Sequence, residues 1–179
     1  MTIHADHPFI DPDRDPVRRL RGRLGGAVTL WTTGSGSGRV GLTVSSVLVA
    51  AGEPPRVLGL VDPDSDLAAG VAHTGTAVVA LLQWEHRDLA DAFAGVAPAP
   101  GGVFRLGRWS DTAWGPLLDG VSAWAGIRLG GPGEPGGTGG AVGRQVGWSL
   151  LLDGEVERVE IAPEGQPLLH RRGRYQRQS

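Results

Sequence analysis

The sequence predicts a mainly β chain with a few helices, folded as one domain, and three observations carry that reading. Short apolar runs with period-2 alternation recur along the chain, bounded by glycine and proline. Only brief stretches place apolar residues at helical spacing. At 179 residues and 40% hydrophobic, the chain can bury one substantial core.

The elements follow in order. Residues 1–15, with His4, His7 and four aspartates among prolines, read as a flexible arm, leaving 16–179 as the domain. A metal drawn on His4 and His7 would sit on chain that pre-organises nothing. Pro16 opens a short helix that Gly22 stops, its arginines forming a solvated face. Residues 25–33 are β-rich, and the glycine-dense 34–38 suits a hairpin loop.

The stretch 39–50 then reads as a strand interrupted by hydroxyls. Alternation turns Val44 toward a core and Thr43 and Ser45 toward the opposite side, with Ser46 next in line, so that surface is either prepared for something polar or is the wet face of an ordinary half-buried strand. Glu53, Pro54 and Pro55 break the ladder before a strand at 56–61. Ser65 is placed to cap a helix beginning at Asp66. A helix start just after a strand offers backbone N–H groups to a phosphate, although plain capping explains Ser65 equally well.

Residues 78–82 form an apolar run of strand length, and 86–94 place Leu89, Ala92 and Phe93 on one helical face, with His86 at the start toward solvent. The excursion 96–115 carries Phe104, Trp109 and Trp114 without a period. Such a segment either covers a ligand or is pinned to the core by its aromatics. Residues 121–129 alternate as a strand. Gly131, Gly133 and Gly136 spell a dinucleotide fingerprint on paper, but further prolines and glycines stand where its helix must begin, so 130–143 is a loop. Strands at 145–152 and 155–161 are joined by a tight turn at Asp153-Gly154.

Composition excludes much chemistry. The chain has no cysteine, so disulfides, thiol catalysis and Cys-ligated metals are out. It has no lysine, so Schiff bases and P-loop phosphate binding are out as well. Five scattered histidines give neither a metal spacing nor a triad. A net charge of −2 offers no general attraction to nucleic acid or to an anionic membrane. No apolar run approaches a membrane span and residues 1–20 are unlike a signal sequence, so the expected compartment is the cytoplasm.

The order A-V-T-L-W-T-T, then G-L-T-V-S-S, then P-P-R-V-L-G-L-V-D resembles the flavin reductase-like family, whose fold is an FMN-binding split β-barrel. The resemblance runs from about Pro16 to Gln176. It continues through Asp62-Pro63-Asp64-Ser65-Asp66-Leu67, the D-L-A-x-x-F-A-G helix ending at Gly95, Gly115 to Gly120, and the closing Leu168-Leu169-His170-Arg171-Arg172-Gly173-Arg174-Tyr175.

The resemblance implies an NAD(P)H-dependent flavin reductase supplying reduced FMN or FAD, with a monooxygenase as partner and a homodimer as assembly. It implies flavin contacts from Thr43, Val44, Ser45 and Ser46, and a phosphate turn containing Asp62 and Ser65. Arg172 or Arg174 would pair with phosphate or with the nicotinamide dinucleotide, since a planar guanidinium can bond phosphate bidentately. Flavins carry their own hydride chemistry, so no nucleophile-base pair is required. Three positions depart from the family: Ser149 and Arg171 stand where histidines are common, and Asp66 puts a carboxylate in the phosphate turn. Those departures keep open a flavin or deazaflavin oxidoreductase with another electron donor, and a non-catalytic split-barrel ligand-binding protein.

Overall fold

The computed structural model describes residues 16–130 and 142–177. The N-terminal arm with His4 and His7, and the Gly131–Gly136 motif, lie outside the described residues. The elements run α1 (Pro16–Leu24), β1 (Gly26–Ala27), β2 (Thr29–Thr33), β3 (Val40–Val44), β4 (Val47–Ala50), β5 (Arg56–Val61) and α2 (Asp66–Thr74). There follow β6 (Thr76–Leu81), α3 (Arg87–Phe93), β7 (Trp109–Asp111), β8 (Pro116–Leu118), β9 (Ala123–Leu129), β10 (Arg144–Val146), β11 (Ser149–Ile161), β12 (Leu169–Arg171) and β13 (Arg174–Gln176).

The main sheet has the strand order β3-β2-β6-β9-β11-β5-β4, every pairing antiparallel, with β10 added to β11. Its two outermost strands, β3 and β4, are consecutive in sequence, and only Ser45 and Ser46 separate them. A trans chain advances 3.8 Å per residue, so Val44 and Val47 stand at most about 11 Å apart. The sheet therefore curls until its edges meet at these two serines without pairing: a split barrel. A small sheet, β1-β12-β13, covers one end.

Two cores result. Inside the curl, Trp31 is fully buried among Val44, Val57, Val61, Leu67, Val71 and Ile127, and its indole N–H is satisfied by Thr29 Oγ1 at 3.1 Å. Burying an aromatic of this size supplies several kcal/mol of transfer free energy, about 25 cal/mol per Å². Between the sheet and α3, Leu30, Leu82, Leu89, Phe93 and Leu168 form the second core.

Several expectations are corrected. Asp153-Gly154 is no turn: β11 runs straight through it, and the hairpin reverses at Gly147-Trp148 instead. Gly154 is there because a Cβ would lie 2.7 Å from Ile127 Cδ1, and Asp153 because its carboxylate receives Arg56 Nε at 2.6 Å. Close approach, not reversal, selected the dipeptide. The first helix passes Gly22 to end at Leu24, where Gly25 takes φ +64°. His86 is turned inward, 12% exposed, its Nδ1 accepting the Gln83 N–H at 3.1 Å. Phe104 and Trp109 anchor the 96–115 excursion, stacking edgewise on each other at 4.8 Å and against Phe93 at 5.2 and 5.6 Å.

Candidate functional site

The seam creates a surface depression. Strand β5 alternates strictly: Val57, Gly59 and Val61 point inside, while Leu58 and Leu60 point out beside Ser45 and Ser46. Gly59 keeps this wall thin, for a Cβ there would meet the Trp31 ring at 2.7 Å. With α1 on one side and the β10 and β12–β13 turns on the other, these residues enclose an open cleft of about 1190 Å³, ample for a ring system with a phosphate-bearing tail.

The cleft is strongly cationic. Arg19, Arg21, Arg23, Arg144 and Arg172 line it together with His170, and among the described residues no aspartate or glutamate does. Arg39, Arg56, Arg87, Arg128 and Arg158 are held elsewhere by carboxylates. Among the described residues, none of the five cleft guanidinium groups is ion-paired. Arg172 occupies the first position of a two-residue turn with Gly173, and both have positive φ, +54° and +74°. That turn type favours Asn-Gly, so an arginine held left-handed is an outlier of the sort found at functional positions. Its N–H donates to Gly22 O at 2.8 Å, fixing the turn against α1. Burial pushes the His170 imidazole below its ordinary range, and nearby Arg21 adds to this against the opposing charge of Asp91. Burial and Arg21 both favour the uncharged ring.

The α2 turn is different in kind. Ser65 Oγ donates to Asp62 O at 2.6 Å and accepts the Ala68 N–H at 3.2 Å, while Asp62 Oδ1 accepts the Asp64 N–H at 2.9 Å. Asp62, Ser65 and the neighbouring Asp64 thus satisfy one another, and with Asp66 the turn carries three carboxylates.

Of the eight residues singled out from sequence, the cleft brings together Ser45, Ser46 and Arg172. Val44 is buried in the barrel core. Thr43 faces α3, donating to Ala90 O at 2.6 Å, so it does not share a surface with Ser45 as the alternation suggested. The strand ends between them and the phase of the pleat is lost. Asp62 and Ser65 start just beyond Leu60, outside the lining, and Arg174, exposed on β13, is not among the lining residues either. Sequence reasoning missed Arg19, Arg21, Arg23 and Arg144. The available signal was the apolar pair Leu58 and Leu60 at outward positions of β5, which marks a covered rather than a wetted face.

A curled antiparallel sheet with a cleft at its seam defines a split-barrel protein with an open cavity on its outer wall. The model of the family described as flavin reductase like domain matches residues 21–179, and the chain belongs to that family. A relative named FMN reductase (NADH) RutF, from Ancylobacter novellus, is 36% identical over 109 residues, 60% of this chain and 60% of that protein's own length. The 4-hydroxyphenylacetate 3-monooxygenase reductase component of Pseudomonas aeruginosa is 24% identical over 163 residues, covering 90% of this chain and 89% of that one. In fold, the solved NADH:FAD oxidoreductase SgcE6 of Streptomyces globisporus superposes with a TM-score of 0.77 at 24% identity, covering 99% of this chain and 98% of that one.

Proposed function

We propose that this protein is an NAD(P)H-dependent flavin reductase, binding FMN or FAD at the seam cleft and passing the reduced flavin to a monooxygenase partner in the cytoplasm. The observation that carries this is the cleft itself: apolar outward residues of β5 give a flat ring a wall, and two serines stand at its edge. Hydride transfer from a reduced nicotinamide is chemistry the flavin supplies when bound, while the protein binds, orients and keeps water out.

In this reading Ser45 and Ser46 offer hydroxyl and main-chain groups to the polar edge of the ring, and Leu58 and Leu60 exclude water from its face. Val44 fixes the inward end of β3 and Thr43 ties it to α3, so both shape the site from behind. Arg172 supplies positive charge within the cleft. The turn at Asp62 and Ser65 is left without a ligand role in this reading, since the Ser65 hydroxyl and the Asp64 and Ala68 N–H groups are already engaged. Arg174 lies farther out and would act on a longer ligand.

The protein is also proposed to work as a homodimer. Leu48 and Val49, on edge strand β4, are 71% and 75% exposed, and Trp148 at the β10–β11 turn is 64% exposed. An apolar, unpaired edge of this kind invites a covering partner. The monooxygenase partner is supported by the printed name of the Pseudomonas relative.

The test is flavin binding followed by turnover. Added FMN or FAD should show a shifted absorption band and quenched fluorescence, and the mixture should oxidise NADH or NADPH. Unchanged flavin spectra together with flat nucleotide traces would reject the reading. Light scattering should give twice the chain mass, and Leu48→Arg should halve it.

A further inference from the structure

We infer that the arginine arc of the cleft selects the nicotinamide dinucleotide bearing a 2′-phosphate, NADPH over NADH. This rests on the reductase reading, which it extends to the choice of electron donor.

The case is one of charge and reach. The five guanidinium groups come from three separate elements: Arg19, Arg21 and Arg23 from α1, Arg144 from β10, and Arg172 from the β12–β13 turn. Elements distant in sequence thus converge on one cavity with the same charge. Of the acids around it, Asp153 of β11 is held by Arg56 at 2.6 Å, Asp62 lies beyond the lining, and Asp91, whose charge reaches His170, is bonded to Tyr175. None of the five is ion-paired among the described residues, although five other arginines of the chain each find a carboxylate.

A ligand that repays such convergence carries several phosphates. NADH brings the two of its pyrophosphate. NADPH adds a monoester worth about −1.5 to −2 charges at pH 7, and planar guanidinium groups bond such oxygens in pairs. The arc is exposed, so the preference is built from screened interactions and weakens with salt over a Debye length of about 10 Å at 0.1 M. The relatives named for NADH include one aligned over 98% of this chain, so the inferred preference is a departure of this chain from them.

The experiment is calorimetric titration of the whole protein with adenosine 2′,5′-bisphosphate and adenosine 5′-monophosphate, alongside kcat/KM for NADPH and NADH with added FMN. The bisphosphate should bind about tenfold more tightly at low salt, a difference reachable with one well-placed ion pair. That gap should narrow on adding salt. Arg21→Gln with Arg144→Gln should abolish most of it, Arg144→Lys should keep part, and Arg128→Gln on the far sheet should leave it intact. Equal affinities, or a gap surviving the double substitution, overturn the inference. So does an NADH kcat/KM equal to or above that for NADPH, which leaves the reductase reading standing. A phosphate preference without oxidation of either nucleotide retires that reading and leaves the cationic site in place.

Discussion

Two regions of this molecule could receive an anion, and they are built on opposite plans. The α2 turn offers main-chain N–H groups and a helix dipole, but its serine and one aspartate are already bonded within the turn, and three carboxylates surround it. The seam cleft offers side chains: five arginines, none of them ion-paired among the described residues. A helix N-terminus attracts anions through partial charges that fade within a turn, whereas an arc of arginines acts with whole charges. The difference teaches that a capped helix start following a strand does not by itself make a phosphate site, because capping consumes the donors a ligand would use.

The largest test of this contrast attacks the wall of the cleft. Gly59→Val places methyl groups where the Trp31 indole already sits, so it should cost about 1–3 kcal/mol of stability, read as a lower urea midpoint, and should abolish the shift in bound-flavin absorbance. Retained flavin binding at full stability would mean that the wall is not where the ring lies.

Ser65→Ala should lower stability by about 1 kcal/mol, the usual cost of losing such a cap, without changing the FMN dissociation constant. A tenfold weaker FMN with riboflavin unaffected would instead put the phosphate on the turn and break the comparison. Thr43→Val should behave similarly, costing about 1 kcal/mol through the lost bond to Ala90 O, with the cleft's ligands unaffected.

The smallest effect concerns protons. Because His170 is held below its ordinary value of 6.5, the stability it contributes is full above about pH 6.5 and is lost as pH falls through its lowered folded value. Its NMR titration midpoint should lie below 6.5 and rise in Arg21→Gln, which removes one of the two causes. A midpoint unmoved by that substitution would leave burial as the whole cause and place Arg21 away from the ring.

Much of the architecture was legible before any coordinates. The β-rich run 25–33, the strand at 56–61, the cap at Ser65 and the apolar face of Leu89, Ala92 and Phe93 are local signals; the last three formed where their residues predicted, while 25–33 divided into β1 and β2 in separate sheets. The Asp153-Gly154 pair shows the limit: a dipeptide with strong turn chemistry sits inside a 13-residue strand, because Gly154 passes close to Ile127 and Asp153 meets Arg56, contacts invisible to a window of neighbours. The arginines of α1 show another limit. A solvated cationic face and one wall of a cleft have the same sequence pattern until another element faces them.

The sequence by itself determined the strands, the helix starts and the absence of thiol and lysine chemistry, since these follow from residue type and from periods of two and 3.6 residues. It also placed Ser45 and Ser46 together, at an interruption of unknown purpose. Only the tertiary structure made that interruption a seam. Strands β3 and β4 are separated by two residues yet stand at opposite ends of the sheet order, and closing that gap required the whole sheet to curl. The cleft and its arginine arc arise from this closure, because charges from residues 19 to 172 share one space only after the barrel has formed.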